Sequence, residues 1–121
     1  CNLLHGYALS FAFTFEAQAL DDCGWVMDFG GLQPVLGWLR ETFDHKLLLA
    51  GDDPYLTTFQ KLEDAGLCHV VVLTRGVGCE RFAELAGMWV TAWLADKHPR
   101  VRCVEVECRE HGANSGKWMN P

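Results

Sequence analysis

Between Tyr7 and Glu16 every second residue is bulky and apolar. Tyr7, Leu9, Phe11, Phe13 and Phe15 fall on one side of an extended chain, with Ala8, Ser10, Ala12 and Thr14 on the other. Strand side chains alternate with a period of two, so this stretch predicts a β-strand with one buried face. Such a face needs a cover, and two segments can supply it. Leu32, Val35, Leu36, Leu39 and Phe43 recur at helical spacing, predicting an amphipathic helix over 32–43 with Pro34 in its first turn. Phe82, Leu85, Ala86, Trp89 and Trp93 predict a second long helix over 80–95, with Pro99 beyond its end.

Shorter elements fill the intervals. Asp21–Gly24 reads as a turn and Trp25–Phe29 as a second strand closing a hairpin. Leu56, Phe59 and Leu62 suggest a short helix stopped by Gly66, and Cys68–Leu73 reads as a strand. Val101–Cys108 is expected as the last strand, with Val104 and Val106 on one face and Val101, Cys103, Glu105 and Glu107 on the other. The tail beyond it is rich in turn residues. The order predicts an α+β fold: an antiparallel sheet with two long helices packed on one face. No repeat or linker divides the chain, so residues 1–121 are expected to form a single domain, with a first strand expected upstream of Cys1.

Charge narrows the function. Ten basic against 16 acidic residues give a net charge of −6, which argues against nucleic acid as a partner. A small anionic substrate remains open, because a pocket's local charge can oppose the global one. No apolar run approaches the roughly 18 residues of a membrane span, and the opening residues lack the regions of a secretory signal. The six cysteines form no Cys-x-x-Cys pair, which points to a reduced, cytoplasmic protein whose thiols act mostly as small buried apolar groups. Trp25, Trp38, Trp89 and Trp93 fit core or subunit contacts, His69 a structural role in an apolar strand, and His98 the surface.

Four stretches carry polar residues a core does not require. Cys1 and His5 sit just before the first strand, where thiol and imidazole can meet at a pocket mouth; a terminal thiol and a loop histidine are the plainer reading. Asp44 beside His45 can set that histidine's tautomer and raise its basicity, or can simply end a helix. Glu105 and Glu107 share a strand face; they are solvated there, or one of them has a dedicated partner such as a guanidine-like ligand edge. Glu80 opens the long helix, as an acid capping its N-terminus or as part of a site, and Arg75 and Arg81 nearby could meet a phosphate or lie on the surface.

The order of these stretches resembles the 6-pyruvoyl/6-carboxy-tetrahydropterin synthase family. The likeness rests on Cys-x-x-x-His-Gly-aromatic opening a strand, Met27-Asp28-Phe29-Gly30 before a helix, Asp44-His45, Glu80 at a helix start and Glu107 late in a strand. The resemblance implies a T-fold and a Zn²⁺-dependent lyase acting on the pterin 7,8-dihydroneopterin triphosphate. It places the proton-abstracting thiolate on Cys1 and the catalytic relay on Asp44 and His45. The pterin anchor falls on Glu107, a further pocket residue on Glu80, and one of three zinc histidines on His5. It also implies a homo-oligomer, a trimer or hexamer with sites between subunits. The product is expected to be the 6-carboxy compound used for deazapurine nucleosides such as queuosine. The 6-pyruvoyl product, a non-catalytic pterin- or purine-binding module and a purely structural subunit are the alternatives. The chain departs from the pattern at Tyr7, where the family has histidine, and at Cys79, where it has Ser or Thr. The 45–79 segment is long, and His111 in an unusual tail is a candidate replacement ligand.

Overall fold

The alternating stretch forms strand β1, Ser10–Ala17, in the computed structural model of the chain, which describes residues 3–121. Phe11, Phe13 and Phe15 turn towards the core and stack along the strand, while Ser10, Ala12, Thr14 and Glu16 are exposed. The strand over Val101–His111 pairs antiparallel with β1 on one side and with the strand over Asn114–Met119 on the other. These are β4 and β5, so the sheet runs β1-β4-β5.

Both long helices lie against one face of this sheet, as expected. Helix α1, Gln33–Phe43, carries Pro34 at its start. Helix α3, Cys79–Lys97, buries Ala83, Ala86, Gly87, Val90 and Leu94, a stripe rotated from the expected aromatic one. Small residues on that stripe let the sheet approach closely: a Cβ added to Gly87 would lie 2.1 Å from the Trp118 ring. Phe82 and Trp89 instead face α1, where Trp38 stacks on Trp89 at 5.1 Å and Phe43 meets both Phe11 and Phe82, while Trp93 stacks on Trp89. Val90, Leu94 and Val106 are fully enclosed, and each contributes about 1.5–3 kcal/mol by leaving water.

Between α1 and α3 the chain forms a unit that the sequence reading caught only in part. Helix α2, Leu56–Asp64, and strand β3, Val70–Leu73, correspond to expected elements. Strand β2, Leu47–Ala50, was not expected, and it pairs parallel with β3. A fully apolar run of four residues has no alternation to mark it as a strand, which is usual for parallel pairs.

Three further expectations are corrected. Trp25–Phe29 is not a strand: the Asp21 carboxylate accepts from the Cys23 and Trp25 amides, each at 2.9 Å, and Asp28 caps a 3-10 turn over Phe29–Leu32. Arg100 ties this loop to the body by donating to the Ala19 carbonyl at 2.5 Å and to that of Val26. The tail is not merely turn: Gly112 and Ala113 turn the chain into β5. The face assignment on β4 also fails. A bulge opposite Thr14 and Phe15 makes Val104 the extra residue, so Val101, Cys103, Val106 and Cys108 all face the core. Glu105 and Glu107 are thereby shed to the open face. Asn120 seals the bulge, its amide donating to the Val104 carbonyl and its side chain to that of Cys103.

Candidate functional site

Helix α1 ends at Phe43 because the next two residues leave the helical region. Asp44 is extended, and His45 takes a left-handed conformation with φ 55°. Glycine or asparagine usually fills that position; a side-chain-bearing residue there is strained. The turn brings the Asp44 Oδ1 within 2.9 Å of the His45 Nδ1. A carboxylate can only accept, so Nδ1 is the donor in this pair. Both side chains are exposed.

His5 precedes β1. Its Nδ1 lies 2.7 Å from the Leu3 carbonyl, and its Nε2 2.9 Å from the Tyr7 hydroxyl. The Tyr7 ring in turn lies 5.7 Å from that of His111, whose Nδ1 accepts from the Ala113 amide. Cys1 lies outside the described residues. His5 and His45 line one cavity of about 660 Å³, walled by Phe59 and Leu62 of α2 and by the loop entering β3. Lys46 and His69 line it too. His69 was expected to be structural; it is exposed and stands one residue before β3. The sequence offers Lys46 only as a helix-end cation and His69 only as a structural residue, because it is the β2–β3 pairing that sets 46 beside 69. His98, expected at the surface, is half-buried against Trp93.

Glu107 and Glu80 stand apart from this cavity in the chain's own fold. Glu107 projects from the open face of the sheet with its side chain only 13% exposed. Arg109 Nε lies 2.5 Å from it and Lys117 Nζ 3.5 Å, so it has cationic partners already. Glu105 holds Lys117 at 3.3 Å, and the two carboxylates keep the Lys117 ammonium's pKa above its ordinary value, Glu105 foremost. Glu80 lies in the first turn of α3, where Gly116 of β5 presses on the backbone. Burial, with Glu110 and Glu80 nearby, pushes the neighbouring Cys79 thiol up, and burial drives Cys108 up to about 12. These thiols are neutral packing groups. Arg75 and Arg81 both turn onto Glu84.

Residues 1–120 match the family model described as 6-pyruvoyl tetrahydropterin synthase. The chain belongs to that family. Over 64 residues it is 38% identical to the 6-carboxy-5,6,7,8-tetrahydropterin synthase of Rickettsia bellii, covering 52% of this chain and 45% of that one. The protein of the same description from Rickettsia felis is 39% identical over 54 residues, covering 44% and 39%. The chain thus spans under half the length of these curated relatives. An uncharacterized protein of Wolinella succinogenes, solved by crystallography, superposes with a TM-score of 0.81 over 95% of this chain and 78% of its own. At 17% identity that likeness speaks for the fold alone.

Against the tetrahydropterin synthase pattern, the described residues do not fit a zinc site. No group of three or more His, Cys, Asp or Glu among them could hold a metal ion. His5, the expected ligand, has one ring nitrogen on a carbonyl and the other on the Tyr7 hydroxyl. His111, the candidate replacement, is engaged by the Ala113 amide and the Asn114 side chain. A zinc site at a catalytic centre takes about three protein ligands, and both histidines are engaged by other groups instead.

Proposed function

We propose that the protein is a 6-carboxy-5,6,7,8-tetrahydropterin synthase-like lyase acting on 7,8-dihydroneopterin triphosphate. The observation that carries this is the Asp44–His45 pair: a histidine in a left-handed conformation, hydrogen-bonded through Nδ1 to the neighbouring carboxylate, on the cavity that also holds His5. Backbone strain clusters at functional sites, although a left-handed residue also commonly ends a helix. The names of the Rickettsia relatives favour the 6-carboxy product over the 6-pyruvoyl one.

In this reading Cys1, as thiolate, removes a proton from the substrate side chain. His45 Nε2 accepts or returns a proton at the adjacent hydroxyl, while Asp44 stabilises the imidazolium that forms. Glu107 takes the amino and ring N–H edge of the pterin. Arg109 and Lys117 leave room for this, since a carboxylate offers about four lone-pair sites. Glu80 contributes from the start of α3. Glu107 stands away from the His45 cavity of its own chain, which supports a site shared between copies in a trimer or hexamer, and in this reading the protein works in the cytoplasm.

A second reading is a pterin-binding module without turnover. The Tyr7–His5 hydrogen bond favours it, since it occupies the nitrogen a metal would need. Pterin affinity of Glu107→Gln beside Glu105→Gln tests what both readings share. Loss of a hydrogen bond to a charged group should weaken binding roughly ten- to a hundred-fold for Glu107→Gln and much less for Glu105→Gln. If neither substitution changes affinity, the pterin reading loses its chemical support.

A further inference from the structure

The cavity that holds His45 has a charge opposite to that of the chain. One lysine and three histidines line it, Lys46 with His5, His45 and His69, and no carboxylate does, in a protein whose net charge is −6 with its histidines neutral. Two neighbouring acids are already engaged. Asp44 is held on His45 Nδ1, and Glu63 accepts from the Val70 amide at 2.6 Å. Lys46 is half-buried and makes no ion pair among the described residues.

The β2–β3 pairing assembles this cluster. The two strands run parallel with Leu47 opposite Val70, and the Leu47 amide donates to the His69 carbonyl at 2.8 Å. Lys46 and His69 therefore stand side by side at the starts of the two strands, next to His45. An oligophosphate matches an ammonium set beside imidazoles, which donate to its oxygens as N–H groups when neutral and attract it further when protonated. The apolar wall of Phe59 and Leu62, and a volume of about 660 Å³, leave space for a flat body beside the anion.

The geometry points to Lys46 and His69 as an oligophosphate-binding pair, which makes the β2–α2–β3 unit the element that selects a phosphorylated ligand. This rests on the lyase reading only for the identity of the body that the phosphates are attached to. The probe is inorganic tripolyphosphate, titrated calorimetrically into the parent protein, Lys46→Ala, His69→Gln and the double variant. Lys97→Ala, whose lysine sits beside Asp96 at the end of α3, is the control.

Each single substitution should weaken binding by about ten-fold, the double should abolish it, and Lys97→Ala should leave it unchanged. A parent that does not bind, or site variants that bind like the parent, overturns the assignment; so does a control that loses as much as they do. Phosphate-free neopterin is the second arm, and its affinity should be the same in the parent and both single variants. An equal loss of neopterin binding would place the two residues on the ring and overturn the phosphate assignment. Tripolyphosphate behaving as expected while neopterin never binds would keep the anion site and sink the pterin reading.

Discussion

His45 is a residue whose function and stability should pull in opposite directions, and glycine separates them. A left-handed conformation costs an L-residue roughly 1–2 kcal/mol. His45→Gly removes that strain and the imidazole together; His45→Ala removes the imidazole and keeps the strain. Glycine also enlarges the unfolded ensemble, by about 0.4–1 kcal/mol relative to alanine. The net difference leaves the glycine variant more stable than the alanine variant by about 1 kcal/mol, or about 4 °C in melting temperature for a chain of this size. The ion pair to Asp44 is lost equally in both, and with side chains 90% and 61% exposed it contributes little. Thermal unfolding of the two variants and the parent measures the strain. Turnover of each, expected to fall by roughly a hundred- to ten-thousand-fold, measures the relay. Equal melting temperatures for Gly and Ala would refute the strain, and a parental rate in either would remove His45 from the chemistry.

Gly116→Ala should destabilise by about 3 kcal/mol in denaturant titrations, the upper end for one added methyl. Its Cβ would meet the Glu80 amide nitrogen at 2.5 Å, and backbone cannot rotate away as a side chain can. Alkaline unfolding follows from the buried thiols, with Cys103 pushed up to about 11 and Cys108 to about 12, both by burial. The unfolded thiols ionise first, so their contribution is intact below about pH 9 and is lost as pH rises towards those values, at up to about 1.4 kcal/mol per pH unit for each thiol. Cys103→Ala should flatten that decline, and an identical slope would contradict it. Tyr7→His releases His5 Nε2 and adds an imidazole, so Zn²⁺ retained after dialysis should rise above that of the parent; equal metal content would show that Tyr7 is not what withholds His5.

The parts of the fold legible in the sequence were those with a strong period. The Phe11, Phe13, Phe15 alternation and the helical spacing of α1 and α3 carry their own geometry. What was hidden lacks a period. β2 is four apolar residues in a row, and β5 buries only a glycine, whose role depends on the close approach of α3. The bulge at Val104 shows how a single extra residue defeats a face assignment: it moves Glu105 and Glu107 to the face away from the core. The candidate site divides the same way. Asp44-His45 is adjacent in sequence and meets in space, whereas Lys46 and His69 become neighbours only through a parallel pairing that no local pattern announces. Tyr7 was legible as a departure, but its bond to His5 was not, since it needs the turn of chain before β1.

The central claim is a lyase that works on the side chain of a phosphorylated pterin. Its most direct measurement is incubation of the purified protein with 7,8-dihydroneopterin triphosphate, with and without added Zn²⁺, and identification of the products by mass spectrometry. The account predicts conversion to the 6-carboxy product, lost in His45→Ala. Substrate returned intact under both conditions would contradict it.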